Sequence, residues 1–490
     1  MVDQLRHTAA PLDQLPPWAS RFPPIGQGSR AQQLADQCRR AIAAGVLRPG
    51  DRLPPSRRLA ALLGVARGTV VTALEQLAAE GLVEAVGGSG TFVAAAAAVA
   101  GPPPPARAQP WQAPRVRPEA PAVDRALPGT LDFRPCRPAV SDFPIGPWRR
   151  CLSWAAGRRP DADYADPRGA PALREALASY LRRARSMAVG PDEIMVTNGA
   201  VHAMHLLANV YLAGPSDTGP GVVMEDPGYP LARQLFEGCG ARIYDCPVDV
   251  DGLRTDQLPA AGADIRLIYV TAANQFPTGA RLSLPRRQAL IAWARQVGAL
   301  IIEDDYDGEF RYDVEPLPPL ATVGSGQVAY CGSFSKTLFP DLRLGFVTGR
   351  AEQIELLARY RTRTDYTGNQ LVQRALARFV SDGHYERHIH RMRRRYSAKR
   401  RLVTERLEAL QLPISLLGTE SGLNLTVAFD APVQGLDAAA FARRGLQREV
   451  LVPTLGSYQR AHRQLDGLVI GYAALDEAAI DRGLSALFAP

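Results

Sequence analysis

The chain has 490 residues, room for two to four domains, and an apolar fraction of 46%, the make-up of an ordinary globular protein with a large core. No apolar run nears the ~18 residues of a membrane span, and no charged head with an apolar stretch opens the chain, so a cytoplasmic protein with no membrane partner is expected. A net charge of +8 suits a polyanionic partner without naming one, and six scattered cysteines with no CxxC pair read as reduced thiols, neither a disulfide framework nor a zinc site.

Residues 1–20 show no periodicity and read as a flexible tail. Residues 21–94 read as a small DNA-binding module. From Ser29 to Ala44, Leu34, Cys38 and Ile42 recur every four residues and predict an amphipathic helix. Arg48-Pro49-Gly50-Asp51 is a turn, and Ser56 is placed to cap a second short helix carrying Leu59, Leu62 and Leu63, which Gly64 ends. A third helix runs from about Arg67 to Glu80 with Val70, Leu74 and Leu77 on one face, and Gly81 stops it. Leu82 to Val86 and Thr91 to Val93 read as strands around the turn Gly87-Gly88-Ser89-Gly90. Two short helices around a glycine turn, followed by a glycine-tipped hairpin, make a winged helix-turn-helix. Its third helix would enter the major groove of double-stranded DNA N-terminus first. Arg67 and Thr69 in its first turn, Arg57 at the start of the preceding helix, and Gly88 and Ser89 at the wing tip are the candidate contacts. A lone arginine is more often a solvated charge, and a protein-interaction module is the alternative; agreement of spacing, turn and wing favours DNA.

The stretch from Gly45 to Arg57 (GVLRPGDRLPPSR) and Gly88-Ser89-Gly90-Thr91-Phe92-Val93 resemble the DNA-binding domain of GntR-type bacterial regulators, over about residues 30–93. Two positions depart from that pattern. Ala66 stands where Ser or Thr often precedes the third helix, and Val86 stands where the wing often carries arginine, so two phosphate contacts are lost.

Residues 95–125 are an Ala/Pro-rich linker with a tetraproline from Pro102 to Pro105, partly extended as polyproline II. Residues 126–490 then alternate strand and helix patterns, as an α/β domain does. Ile194 to Thr197 reads as a strand, and Asn198-Gly199-Ala200-Val201 leads into an apolar helix whose N-terminus is a ready anion site. The strand Val222 to Met224 leads to Tyr229, a ring at a strand end where ligands bind open α/β sheets, or else a packing tyrosine. Leu267 to Thr271 is a strand leading to Asn274-Gln275-Phe276-Pro277-Thr278-Gly279. Leu300 to Ile302 is another, ending in Glu303-Asp304-Asp305-Tyr306. Such an acidic cluster is also a metal pattern, but a different chemistry follows it.

All but two of the 57 Lys and Arg residues are arginine, a bias of the kind GC-rich coding produces. One survivor, Lys336, sits in Gly332-Ser333-Phe334-Ser335-Lys336-Thr337; the other, Lys399, reads as a surface lysine spared by chance. A position that stays lysine under such bias needs a primary amine, because arginine supplies charge but cannot form a Schiff base. Ser333 and Ser335 beside that amine can bind a phosphate, and Arg343 adds charge for it, which points to pyridoxal 5′-phosphate (PLP) and to no metal. Asp304 can keep a pyridine nitrogen protonated, and Tyr306 can donate to the ring's phenolic oxygen.

The order of these pieces resembles fold-type I class I/II aminotransferases over about residues 130–490. The wording from Ile302 to Tyr312 (IEDDYDGEFRY) resembles the MocR subgroup, GntR-like regulators with an aminotransferase-like effector domain, PdxR-like or GabR-like. The resemblance implies Lys336 as the Schiff-base lysine, Asp304 at the pyridine nitrogen, Tyr306 at the phenolic oxygen and Tyr229 stacked on the ring. It also implies Ser333, Ser335, Arg343 and the Gly199-Ala200-Val201 amides at the phosphate. Tyr164 then reaches the phosphate of a second subunit, which implies a head-to-tail homodimer. Phe276 stands where aminotransferases place an asparagine for the phenolic oxygen, and Val469 where an arginine near the last strand grips the substrate carboxylate. Arg460 and Arg463 are the candidate substitutes, neither placed by the sequence, and the lack of a clear carboxylate arginine favours PLP itself as effector over an amino acid. The basic stretch Arg387 to Arg401 reads as a long amphipathic helix with Ile389, Met392 and Tyr396 inward rather than as a DNA face. The expectation is a PLP-dependent transcriptional regulator sensing PLP or an amine or amino-acid adduct of it, controlling vitamin B6 or amino-acid metabolism genes. The alternative is an active aminotransferase with a vestigial DNA-binding head.

Overall fold

The computed structural model describes residues 29–95, 129–159, 161–216, 219–260, 262–312, 318–324, 326–462 and 465–489. The expected tail and all of the linker but Ala95 lie outside them. The chain divides into two compact units, Met1–Pro118 and Glu119–Pro490.

In the first unit α1 (Arg30–Ala43) starts at Ser29, whose hydroxyl accepts the Gln32 N–H at 3.3 Å. Helix α2 (Ser56–Leu63) ends at Gly64 in the left-handed region, and α3 (Arg67–Ala79) follows two residues later. Ser56 is not the cap expected of it. Pro55 holds that position, and the Ser56 hydroxyl instead accepts from Arg67 Nε at 3.3 Å, tying the start of α2 to the start of α3. Leu34 and Cys38 of α1, Leu59 of α2, and Val70, Ala73 and Leu77 of α3 close one small core. Ala73 was not expected there; Leu74, which was, is half-buried. Strands β1 (Val83–Val86) and β2 (Gly90–Val93) pair antiparallel as the wing, with Gly88 and Gly90 both at positive φ.

The second unit opens with β3 (Leu131–Asp132), which runs parallel to β14 (Val450–Leu451). Its main sheet contains β4 (Ile194–Thr197), β5 (Gly221–Asp226), β6 (Arg242–Asp249), β7 (Gly252–Leu253), β8 (Ile265–Val270), β9 (Leu300–Asp305), β10 (Val328–Ser333) and β11 (Gly345–Thr348). Their order is β4-β11-β10-β9-β8-β5-β6-β7. The pairs β10/β9, β9/β8, β8/β5 and β5/β6 are parallel, and β11 runs antiparallel to both its neighbours. Strands β4, β5 and β9 are buried at every residue, which is why their sequences are unbroken apolar runs up to the polar C-terminal ends. A second, antiparallel sheet orders β12 (Ile414–Leu417), β13 (Asn424–Phe429) and β15 (Gly467–Gly471).

The basic stretch is the helix His384–Glu408, with Ile389, Met392 and Tyr396 buried as expected. Its arginines reach into the same unit: Arg391 donates to the Asp142 carbonyl at 2.9 Å and Arg393 to the Glu309 carbonyl at 2.8 Å. Lys399 is not a surface residue. It is buried, and its ammonium donates to the Ala473 carbonyl at 2.8 Å. Among the described residues no helix is long and apolar enough to cross a membrane, and all six cysteines are unpaired thiols.

Candidate functional site

Parallel strands β5, β8, β9 and β10 end on the same side of the sheet, and the residues just past their ends converge. After β5 the chain turns through Pro227 and Gly228, leaving Tyr229 at the start of the helix Pro230–Gly238. Only glycine fits at 228, because a Cβ there would sit 2.2 Å from the Glu225 carbonyl oxygen. The loop after β8 brings in Phe276, β9 ends at Asp304-Asp305 with Tyr306 next, and β10 ends at Ser333 with Lys336 three residues on. Lys336, Asp304, Tyr306 and Tyr229 line one cavity of about 200 Å³. Ser333, Ser335, Arg343, Ala200 and Val201 line it as well. This is the crevice at the carboxyl ends of strands where open α/β sheets bind ligands.

Asp304 is buried, and Tyr269 on β8 donates its hydroxyl to Oδ2 at 2.7 Å. The other oxygen, Oδ1, is buried without a hydrogen-bond partner among the described residues. Burial raises the Asp304 carboxyl to about 6 against the lowering effects of the Tyr269 hydroxyl and Lys336. An unpaired carboxylate oxygen in such a place is costly unless a donor meets it. The Tyr306 hydroxyl accepts from Asn274 Nδ2 at 3.1 Å, so its own hydrogen is left to donate. Asn274 is held in turn: its amide lies 3.0 Å from both oxygens of Asp307, and its carbonyl accepts from Ser421 at 3.0 Å. Burial pushes Asp307 up to about 8. Phe276 meets Tyr229 and Tyr306 edge-on, each at 6.0 Å between ring centroids.

The far end of the cavity is built from backbone turns. Arg343 has φ of 49° and donates to the Asn198 carbonyl at 3.1 Å. Gly199 is not on the cavity wall; its φ is 92°, and a Cβ there would lie 3.6 Å from the Arg343 guanidinium. The Asn198 N–H donates to His202 Nδ1 at 3.0 Å, an acceptor role that needs a neutral ring, and burial lowers His202 to about 4. The helix Ala200–Tyr211 starts here, its first-turn N–H groups unpaired within the helix, beside Ser333, Ser335 and Arg343.

Tyr164 is not part of this cavity. It is 81% exposed and packs on Tyr366 at 4.7 Å between centroids. Val469 is fully buried in β15, opposite Thr426, and does not line this cavity. Arg460 is exposed, and its backbone N–H, with those of Ala461 and His462, is tied to the Asp226 carboxylate at 2.7–2.9 Å. Arg463 lies outside the described residues. Sequence reading missed Tyr269, Asn274 and Cys136, the last of which also lines the cavity. Tyr269 left a signal, a hydroxyl inside an otherwise aliphatic strand; Asn274 and Cys136 left none. Among the described residues no group of three or more His, Cys, Asp or Glu is arranged to hold a metal ion.

In the first unit Arg57 and Arg67 are exposed at the starts of α2 and α3, Thr69 is half-buried in the first turn of α3, and Gly88 and Ser89 form the exposed wing tip. Arg52, absent from the expected contacts, packs against the wing: a Cβ on Gly90 would lie 2.9 Å from its Nε.

The profile of bacterial regulatory proteins of the gntR family matches residues 30–93, and that of aminotransferase class I and II matches residues 148–487. Over 476 residues the chain is 33% identical to the probable rhizopine catabolism regulatory protein MocR of Rhizobium meliloti, covering 93% of this chain and 92% of that one. It is 33% identical to the pyridoxine biosynthesis transcriptional regulator PdxR of Corynebacterium glutamicum, over 91% of this chain and 92% of the relative. With the transcriptional regulator TauR of Rhodobacter capsulatus it shares 34%, over 94% and 96%. The chain belongs to the MocR-type GntR regulators. Its second unit has the fold-type I aminotransferase fold: kynurenine aminotransferase of Pyrococcus horikoshii superposes with a TM-score of 0.66 at 25% identity, over 73% of this chain and 89% of that one. LysN, the α-aminoadipate aminotransferase of Thermus thermophilus, superposes with 0.65 at 26%, over 74% and 92%. As a MocR-type protein the chain is a transcriptional regulator with an aminotransferase-like domain, rather than an aminotransferase that carries an extra head.

Proposed function

We propose that this MocR-type regulator holds PLP in the cavity around Lys336 and that the state of that site sets how the winged helix-turn-helix binds its operator. The observation that carries the reading is Asp304 Oδ1, a buried carboxylate oxygen without a partner, on the wall of a cavity that also holds the chain's Ser-x-Ser-Lys amine. That donor set fits PLP. When bound, PLP supplies an aldehyde that a primary amine captures and a ring that withdraws electrons from neighbouring bonds.

The chain's residues divide the work. Lys336 Nζ is the amine. Asp304 Oδ1 keeps a proton on the pyridine nitrogen, and Tyr269 fixes the carboxylate through Oδ2. Tyr306, its oxygen occupied by the Asn274 amide, turns its hydrogen toward the phenolic oxygen and makes good the loss at Phe276. Tyr229 covers the ring. Ser333, Ser335, Arg343 and the amides of Ala200 and Val201 take the phosphate, and Gly199, off the cavity wall, turns the chain into their helix. Tyr164, exposed at the surface, contributes to the site of a second copy in a head-to-tail dimer.

In the other unit Arg67, Thr69, Arg57, Gly88 and Ser89 meet the operator, and Arg52 beside Gly90 supplies charge at the wing in place of Val86. The effector is PLP or an amine or amino acid that reacts with it, and the genes controlled serve vitamin B6 or amino-acid metabolism in the cytoplasm. Coupling demands that the effector bind the two DNA-binding states of the protein unequally. Addition of PLP to the purified full-length chain tests the site: a visible absorption band, absent from Lys336→Ala, is expected. An unchanged band in that variant would contradict it.

A further inference from the structure

A second cavity, of about 580 Å³, opens beside the first and is lined by Arg134, Arg137, Cys136 and Ser141 together with Lys336 and Pro340. Cys136, Lys336 and Pro340 line both. The two spaces therefore share Lys336 as a wall, whereas Ser335, Arg343, Ala200 and Val201 line only the first.

The arginines of this space are built in. Asp132 lies on β3, anchored by its pairing with β14, and the chain reverses at Cys136, whose φ is 60°. That turn brings Arg134 and Arg137 to the same carboxylate. Arg134 grips Asp132 with two nitrogens, Nε to Oδ1 at 2.9 Å and Nη2 to Oδ2 at 2.6 Å. Arg137 touches only Oδ2 of the same group. A guanidinium carries five N–H donors in a planar fork matched to a carboxylate. Among the described residues Arg137 thus keeps most of its donors, and its side chain is 48% exposed.

We propose that Arg137, backed by Arg134, binds the carboxylate of an amino-acid effector whose amino group would take the place of the Lys336 amine on the PLP aldehyde carbon, one C–N bond forming as the other breaks and Lys336 leaving as a free amine. Arg137 stands in for the arginine missing at Val469, which is buried in β15 and cannot reach either cavity. This rests on the PLP reading above and extends it: the sensed molecule carries both an amine and a carboxylate, so an amino acid, rather than PLP alone, is the effector class.

The test uses the PLP-loaded full-length chain and follows its visible absorption during titration with alanine, β-alanine and 4-aminobutyrate, against ethylamine and propylamine as partners without the carboxylate. For the native chain at least one amino acid is expected to act at concentrations ~10-fold or more below its amine, the size of a charge-assisted hydrogen-bond pair. In Arg137→Ala that ratio falls to about one, and Arg137→Lys, which keeps the charge but not the fork, lies between. Arg137→Ala weakening amine and amino acid alike would mark a merely structural role and overturn the proposal. So would a native chain indifferent to the carboxylate, or a ratio that survives the substitution. A native chain with no PLP band at all would instead remove the PLP reading on which the proposal stands.

Discussion

At the scale of single residues, the site depends on groups that are costly in the folded chain unless something meets them. Asp304 is the centre of this: buried, half-satisfied by Tyr269 and raised to about 6. Tyr269→Phe removes that hydroxyl and leaves both oxygens unpaired, so PLP should bind ~10- to 150-fold more weakly, as loss of a hydrogen bond of about 1.5–3 kcal/mol to a charged group implies; titration of the visible band checks it. The same burial has a sign in pH. Glu225 and Glu303 are raised to about 7, and Asp307 to about 8, all by burial first. An acid whose folded pKa lies above its unfolded value of about 4 binds more protons when folded, so its contribution is fully present below that value and is lost as pH rises through the folded one. The PLP-free chain should therefore lose thermal stability between about pH 5 and pH 8, and Asp307→Asn should flatten the upper part of that slope. A Tm that holds or climbs through the window would contradict the assignment of these four carboxyls.

At the scale of elements, the wing, recognition helix and strand ends each have their own expected failure. Arg67 stands exposed at the start of α3, its Nε bonded to the Ser56 hydroxyl, so Arg67→Ala should weaken DNA binding and lower its salt slope by roughly one unit with little change in Tm. Leu77→Ala, by contrast, opens a cavity in the small core and should cost about 2–4 kcal/mol of that unit's stability, read by denaturant unfolding. The elements legible in the sequence were those with a strong period or a hard stop. Helix α3, expected from about Arg67 to Glu80 with Gly81 as its stop, runs Arg67–Ala79, β4 spans the residues expected of it, and the lysine-bearing turn stands out against an arginine-rich background. Elements that depend on a partner distant in the chain were not. Asn274 lies in a loop whose role appears only when Tyr306 and Asp307 fold back onto it, and Cys136 matters only because β3 pairs with a strand more than three hundred residues later. Ser56 shows the same limit: its hydroxyl serves Arg67 in the next helix rather than its own first turn. Lys399 looked like a surface residue because a carbonyl partner at Ala473 leaves no trace in local sequence.

At the scale of the molecule, two units of unrelated construction share one chain, a winged helix-turn-helix and an aminotransferase-like fold. For the second to act as a sensor for the first, ligand binding in one must change DNA binding in the other by its differential affinity for two states. Lys336→Ala should break that link: operator binding should persist while its response to PLP and to amines is lost, as measured by electrophoretic mobility shift with and without the ligands. The most direct measurement is selection of genomic DNA by the purified native chain, with and without PLP, followed by sequencing of what is retained. Enrichment of an upstream region with repeated half-sites, changed by PLP, is the predicted result. Enrichment that PLP leaves unaltered, or none in either condition, would contradict the claim that the PLP site governs DNA binding.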